Sequence, residues 1–214
     1  MSDPIEDTPA DATQEAEATP ARKRPKPGER RLQILQTLAA MLQAPGAERV
    51  TTAALAAKIG VSEAALYRHF ASKAQMFEGL LEFIEQSCLG LLQQIRQSEL
   101  NAPQQAQQIV LVLLQFAEKN PGMARVMVGD ALVLEHERLS QRMNHFFDKV
   151  ELHLKDILYP HASASGHATP TVLAQVQASA LTALVIGQIQ RFVRSGFTRK
   201  PSDRAPEAVA LLLA

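Results

Sequence analysis

The sequence has no tryptophan and a single cysteine, Cys88, and aromatic residues make up only 5% of its 214 positions. One cysteine excludes an internal disulfide framework and suits a reducing compartment. Uninterrupted apolar runs are short, as in IVLVLL at residues 109–114, whereas a membrane-spanning helix needs about 20 apolar residues. No basic segment followed by an apolar one opens the chain, as a secretory signal would require. These absences predict a soluble, cytoplasmic protein without a membrane span.

Alanine, leucine and glutamine dominate instead, and β-branched residues are few, a composition that favours helix. We predict an all-α fold, since apolar residues recur at three- and four-residue spacing and strand-like alternation is not visible. The predicted buried face of the first helix consists of Leu32, Leu35, Leu38, Ala39 and Leu42. Predicted helices cover approximately residues 29–44, 52–59, 63–70, 73–97, 103–119, 137–158 and 170–194, a shorter one opens at 121, a last one ends at 213, and residues 161–170 are a predicted loop.

The formal net charge of zero conceals an uneven distribution. Residues 1–20 carry −6, residues 22–73 carry +7, and residues 74–214 carry −1. Basic charge concentrated in one part of a chain favours an anionic partner for that part, most often nucleic acid. A solvated basic surface explains the charge count equally well, so the count alone leaves both readings open.

Residues 1–27 are rich in proline, alanine, threonine and acids and nearly empty of large apolar side chains, so we predict a disordered tail. Its basic end, at Arg22, Lys23, Arg24 and Lys26, suits an arm lying along DNA. A solubilising tail is the alternative.

Two short predicted helices, residues 52–59 and 63–70, are separated by a turn that contains Gly60. This spacing is typical of the helix-turn-helix unit, which places its second helix in the major groove of DNA. Ala56 lies where the two helices would cross and must be small, and Gly60 can take a backbone conformation that other residues resist. The residues predicted to face inward are Leu55, Ile59, Val61, Leu66 and Phe70.

Because Leu66 and Phe70 are four positions apart, the three residues between them cannot all be buried. We therefore predict an outward face that meets DNA, with Tyr67 and Lys73 donating to phosphates and Arg68 to a guanine edge or a phosphate. The alanines would let the helix sink into the groove, and the threonines would grip the backbone. An ordinary helical hairpin with a decorated surface is the alternative. The predicted DNA-binding residues are Thr51, Thr52, Ser62, Ala64, Ala65, Tyr67, Arg68, His69 and Lys73.

The stretch TTAALAAKIGVSEAALYRHFASKAQMF, residues 51–77, resembles the DNA-binding domain of TetR-family regulators, which carries an L-Y-x-H-F-x-x-K pattern. The segments RRLQILQTLAAML, LEFIEQS, EKNPG and RFVRSGF resemble the nucleoid-occlusion branch of that family, which binds chromosomal DNA and restrains the tubulin-like division protein FtsZ. The resemblance covers residues 29–213. It implies a helix-turn-helix domain at residues 28–88, with the unit itself at 51–70, and a helical regulatory and dimerisation domain at 89–214.

The resemblance also implies partners. A homodimer would pair through its last two long helices and place two recognition helices in successive major grooves of a palindromic site, about 34 Å apart. Candidate interface or core positions on the helix at 170–194 are Leu173, Val176, Ala180, Leu184 and Ile189.

The same resemblance implies that FtsZ is engaged near the junction of the two domains, at Phe83, Val112, Lys119 and Asn120. A cation beside an apolar groove suits a peptide that carries both acids and apolar anchors. Lys119 stands where an arginine is expected, and Leu91 where a basic residue is, so the patch is less charged than the family pattern. The alternative is that Phe83 and Val112 are core residues and that Asn120 only caps a helix.

Sites of other kinds are not predicted. The sequence has no phosphate-binding loop, nucleophile elbow or paired-carboxylate arrangement, so we expect neither an enzyme nor a cofactor. His145, His153 and His161 recur every eight residues, unlike the three- or four-residue spacing of zinc helices. The predicted function is nucleoid occlusion. The alternatives are a ligand-responsive TetR-family repressor, although no small ligand is expected, and a scaffold that binds no DNA.

Overall fold

The computed structural model describes residues 28–44 and 50–214, so the predicted tail and its basic arm lie outside the described residues. Neither described range contains a strand, which confirms the all-α prediction. The helices are α1 (Glu29–Gln43), α2 (Thr52–Ile59), α3 (Glu63–Tyr67), α4 (Lys73–Arg96), α5 (Ala102–Lys119), α6 (Pro121–Met127), α7 (Glu137–Ala164), α8 (Pro170–Arg194) and α9 (Ala205–Leu213), with a 3-10 turn at Asp130–Leu132 between α6 and α7.

Helices α1, α2 and α3 and the first turns of α4 form a small head, and α4 continues from it into a larger body built from α5 to α9. α5 runs through the middle of the body and packs against α4, α7, α8 and α9. α7 and α8, joined by a short connection, pack along each other over most of their length. One continuous cluster of buried apolar side chains extends from the head into the body.

The buried face of α1 differs from the prediction. Ile34, Leu38 and Leu42 are almost fully buried, Leu35 packs partly against them, and Leu32 is 54% exposed. Residues at i, i+4 and i+8 share one side of a helix, whereas a residue two positions from Ile34 points the other way. The prediction that Leu32 is buried is therefore wrong.

Local capping explains where α4 begins. The hydroxyl of Ser72 accepts a hydrogen bond from the backbone N–H of Gln75 at 3.2 Å, the first of the two bonds of a capping box. The return bond is shifted by one residue, because the Gln75 side-chain oxygen accepts from the N–H of Ala71 at 2.8 Å. Two backbone donors at the start of the helix are thus satisfied.

α7 continues to Ala164, so the predicted end at Leu158 and the predicted loop from His161 are wrong at this point. The helix runs through Pro160, which has no N–H to donate to the preceding turn. Leu158 and Ala162 are both buried on either side of the proline. The apolar face that packs in the body thus continues past Pro160, and this burial outweighs the lost hydrogen bond.

α8 is long and apolar enough, by length and composition alone, to pass for a membrane-crossing helix, and 33% of its most apolar window is buried. The search for uninterrupted apolar runs did not find α8, because glutamine and threonine residues interrupt its apolar stretches. Its buried side includes Ala178, Leu181 and Ile189, which belong to the core of the body. Ile189, predicted as an interface or core position, is therefore a core residue.

Candidate nucleic-acid interface and domain junction

The turn between α2 and α3 follows from three small residues. The Thr51 hydroxyl accepts a hydrogen bond from the N–H of Ala54 at 3.1 Å and starts α2. Gly60 ends α2 with φ +75° and ψ 41°, the left-handed conformation that a side chain disfavours. The Ser62 hydroxyl then accepts from the N–H of Ala65 at 3.2 Å and starts α3. The predicted helix-turn-helix geometry is confirmed at its turn.

Packing sets the orientation of this unit. Leu55, Leu66 and Phe70 are each at most 1% exposed, and Ala56 is buried where α2 meets α3. Because these side chains fill the inner face, the residues between Leu66 and Phe70 are turned outward. Tyr67 is 45% exposed, and the two residues after it are exposed as well.

α3 is shorter than predicted. It ends at Tyr67, so Arg68 and His69 lie in the turn that follows rather than on the helix. The carbonyl of Leu66 accepts hydrogen bonds from the N–H groups of both His69, at 2.9 Å, and Phe70, at 3.1 Å. Sharing one acceptor tightens the chain and lets Phe70 enter the core.

Two arginines of α1, which the sequence reasoning did not select, lie next to this turn. Arg31 donates from Nη1 to the carbonyl of His69 at 2.9 Å, and its guanidinium carbon lies 4.0 Å from the centre of the Phe70 ring. Arg30 lines a shallow cleft together with Arg68, His69 and Ala65. Their position at the start of α1, inside the basic part of the chain, was the available signal. Arg31 holds the turn, and Arg30 adds a cation beside Arg68.

Two predicted DNA contacts are occupied inside the protein. The Thr52 hydroxyl donates to the Glu63 carboxylate at 2.6 Å, linking α2 to the first residue of α3. The Lys73 ammonium forms an ion pair with Glu135, in the connection before α7, and only 28% of its side chain is exposed. Ala64 is exposed and Ala65 is half-buried. Thr52 and Lys73 must therefore exchange or share partners to reach DNA.

A second feature is an apolar groove of about 300 Å³ at the junction of head and body. Phe83, on its rim, is 45% exposed and lies 6.1 Å, centroid to centroid, from the ring of Phe116. We call this cavity the junction groove. Its lining residues are Leu32, Leu35, Gln36 and Ala39 of α1, Leu80 and Phe83 of α4, and Asn120 and Met123 near α6.

The four predicted partner-binding residues are divided by the structure. Phe83 and Asn120 line the junction groove, whereas Val112 packs against the core and Lys119 is exposed at the end of α5, next to Asn120. The Asn120 amide donates to the carbonyl of Phe116 at 2.8 Å, so its side chain caps the end of α5 rather than the start of α6. Sequence reasoning did not predict that α1 forms one wall of the junction groove, because Leu32, which lines it, was expected to be buried.

The junction groove has a rigid end because α1 and α6 touch through their backbones. A Cβ atom placed on Gly122 would lie 2.0 Å from the carbonyl oxygen of Ala39. Arg125 of α6 donates to the carbonyl of Leu42 at 3.3 Å, and its Nε lies 3.1 Å from the Asp130 carboxylate without hydrogen-bond geometry. Only glycine at position 122 therefore allows α1 of the head to pack this closely against α6 of the body.

The head and the body match two family models in turn. Residues 34–80 match bacterial regulatory proteins of the tetR family, and residues 103–213 match the SlmA-like model described as tetracyclin repressor-like, C-terminal domain. The chain belongs to the TetR family. TetR-family proteins are DNA-binding regulators, which confirms the prediction that this chain is not an enzyme.

Relatives extend this likeness over most of the chain. The nucleoid occlusion factor SlmA of Aliivibrio fischeri strain MJ11 is 46% identical over 195 residues, 89% of this chain and 97% of that protein. The protein of the same name from Shewanella pealeana is 50% identical over 178 residues, 83% of this chain and 90% of that protein. The structure of the transcriptional regulator FadR from Bacillus subtilis, in complex with stearoyl-CoA, has a TM-score of 0.66 at 13% identity and covers 86% of this chain and 97% of its own. The last comparison shows the fold alone and confirms the TetR-like architecture.

Proposed function

We propose that this TetR-family regulator is a cytoplasmic, nucleoid-associated nucleoid occlusion factor. A homodimer binds palindromic sites on chromosomal DNA, and the bound dimer antagonises FtsZ assembly. The relatives named as nucleoid occlusion factors support this role. The observation that carries the DNA part is the outward turn of the head, where Tyr67 and Arg68 are exposed over a buried Leu66.

The DNA contact is tested at Arg68, which lies beside Arg30 in the cleft of the head. Arg68→Ala should weaken binding to chromosomal DNA fragments and reduce the slope of affinity against salt by about 0.9 for each phosphate that the protein no longer neutralises. The matched control is Arg96→Ala, an exposed arginine at the other end of α4. Equal affinities for the two variants, measured by fluorescence anisotropy, would contradict the assignment.

The dimer is supported by apolar side chains left exposed on α7 and α8. Val172 and Val176 are each 59% exposed and four residues apart, and Leu152 and Tyr159, 56% and 44% exposed, are seven apart. These spacings place each pair on one face of its helix. Pairing of two such faces into a four-helix bundle would bury them and explain the high hydropathy of α8 without a membrane. Leu173, Ala180 and Leu184, which are half-buried, lie within the same helix and are proposed at the edge of this interface.

Val176→Arg tests the dimer, because it would place two cations in the proposed interface. The variant should be a monomer by light scattering and should lose most of its affinity for palindromic DNA, while its helical circular dichroism is kept. Leu211→Arg is the control, since Leu211 is 80% exposed on α9, outside this surface. A dimeric Val176→Arg protein would place the interface elsewhere.

FtsZ is proposed to present a short segment with apolar anchors and acids to the junction groove. The groove offers Phe83 and the α1 leucines to the anchors, and the exposed Lys119 next to Asn120 offers a cation to an acid. Val112 is proposed to act from beneath, as a support packed against the core. Residues of both the head and the body line the groove, so the affinity of a partner bound there depends on the position of α1 relative to α6.

The decisive experiment measures binding of purified FtsZ with and without chromosomal DNA fragments. We expect binding that DNA strengthens, and linkage requires FtsZ to strengthen DNA binding by the same factor. Phe83→Ala should abolish the FtsZ interaction and keep DNA affinity, whereas Leu100→Ala, at a similarly exposed apolar position beyond the end of α4, should keep both. No FtsZ binding under either condition would refute nucleoid occlusion.

Genomic footprinting separates this proposal from a ligand-responsive repressor with the same head and dimer. Many dispersed sites inside genes support nucleoid occlusion. A site confined to one promoter, or a small molecule that releases DNA, supports the repressor.

A further inference from the structure

Lys73 is the first residue of α4, where the head passes into the body. Its ammonium is paired with Glu135, which lies 62 positions along the chain and has only 11% of its side chain exposed. The Lys73 ammonium also lies 5.6 Å from the centre of the Phe77 ring. The cation is thus held between a carboxylate of the body and an aromatic ring of its own helix.

Two further ion pairs connect α4 with the start of α7. Glu78 forms an ion pair with Arg138, with an N···O distance of 2.7 Å, and Glu85 accepts two hydrogen bonds from Arg142, at 3.0 and 2.7 Å. In both of these pairs α4 supplies the acid and α7 the base. The pair nearest the head has the opposite polarity, with the base on α4 and the acid, Glu135, on the body.

Because of this reversed polarity, the Glu135 carboxylate occupies the position beside Lys73 where a DNA phosphate was predicted. A lysine in the first turn of a helix lies against the positive end of the helix dipole, so it gains from a nearby anion. In the free protein Glu135 supplies that anion. In a complex with DNA, a backbone phosphate beside the head would supply it instead. Moving the ammonium towards that phosphate draws it away from the partly buried Glu135, so the two anions compete for its position.

We propose that Glu135 competes with the DNA backbone for Lys73. Release of Lys73 from Glu135 is part of DNA binding, so the body lowers the DNA affinity of the head through this one pair. The proposal rests on the DNA-binding function proposed above and adds a residue of the body to it. It also makes the segment from Glu135 to Arg142, which contacts α4, the part of the body that changes its contacts when DNA binds.

A double-mutant cycle on the full chain tests the proposal. The probe is a fluorescently labelled duplex of random sequence, and the dissociation constant is measured over a series of KCl concentrations. Glu135→Gln should tighten binding about fivefold, because the phosphate no longer has to displace a charged partner. Lys73→Met should weaken binding, and in its presence Glu135→Gln should have no effect, since there is nothing left to release.

The control is Glu78→Gln, which also removes an acid from an ion pair at this contact. Its partner is Arg138 of the body and not Lys73. Its effect on affinity should be the same with and without Lys73. Thermal melting of each variant shows that it is folded. Tightening by Glu135→Gln that persists with Lys73→Met would overturn the competition and indicate a general charge effect, and weakening would assign Glu135 to positioning Lys73 for DNA. Binding by the wild type without any coupling between positions 73 and 135 refutes this inference alone, whereas a wild type that binds neither this duplex nor chromosomal DNA fragments refutes the proposed function as well.

Discussion

Gly122→Ala provides the sharpest test of how the head is seated on the body. An alanine normally stabilises a helix by up to about 1 kcal/mol relative to glycine, so local propensity alone predicts a gain. The structure reverses that sign. A Cβ on Gly122 would lie 2.0 Å from the Ala39 carbonyl oxygen and 2.9 Å from its carbon, which are backbone atoms of α1 and cannot rotate away.

The magnitude follows from the displacement required. Ordinary contact needs more than about 3 Å, so α1 must move away from α6 by about 1 Å, and overpacking of this kind typically costs about 1–3 kcal/mol. Because the opposing atoms are backbone, we take the upper end of this range, about 3 kcal/mol, and subtracting the helix propensity gain of about 1 kcal/mol leaves a net loss of roughly 2 kcal/mol. For a chain of this size that loss lowers the melting temperature by about 4–8 °C. The displacement would also distort the junction groove, whose walls include α1 and the turn before α6.

Two other glycines calibrate the assay. Gly90, exposed on α4, has nothing within 4 Å of the position that an added Cβ would take, so Gly90→Ala should raise the melting temperature. Gly79 would meet only the flexible end of the Leu35 side chain, at 3.0 Å, so Gly79→Ala should lie between the two. Differential scanning calorimetry at equal protomer concentration measures all three. A Gly122→Ala protein as stable as Gly90→Ala would refute the argument.

Four further outcomes are expected. Burial raises the pKa of Cys88 to about 12 from 9.0, so iodoacetamide should label the native protein far more slowly than the urea-unfolded chain at about pH 8, and rapid native labelling would contradict this. Since the native state then holds the thiol proton more tightly, stability should fall as pH rises from 9.0 towards about 12, and Cys88→Ala should remove that slope. The hydrogen bond to Glu85 raises the pKa of Arg142. Arg142→Lys cannot form both hydrogen bonds to Glu85, so it should lower the free energy of unfolding, measured in urea, by about 1 kcal/mol. An unchanged free energy of unfolding would contradict this. Pro160→Ala restores a backbone donor in α7 and should raise the melting temperature, so an unchanged or lower value would show that the proline is not strained.

The elements that sequence reasoning predicted well are those decided by neighbouring residues. The extent of α2, the left-handed turn at Gly60 and the starts of α3 and α4 depend on interactions within four positions of the chain. The exposure of Tyr67 followed from the spacing of the buried Leu66 and Phe70 in the same way. Even so, the last turn of α3 was misjudged, because its shape depends on Arg31, 38 positions from His69.

Features that depend on distant parts of the chain could not be predicted. The ring of Phe83 and the side chain of Leu32 become two walls of one groove only when α1 and α4 meet α6. The continuation of α7 through Pro160 depends on what its buried face packs against in the body. The pairing of Lys73 with Glu135 joins residues 62 positions apart.

The sequence by itself therefore determined the helices and the outward recognition turn, because backbone hydrogen bonds, caps and the conformational freedom of glycine act locally. Only the tertiary structure decided which cation remains available to DNA, which apolar side chains form a groove, and which glycine permits two backbones to touch. These properties come from contacts between segments far apart in the chain, and no local pattern records the distance between such segments in the folded protein.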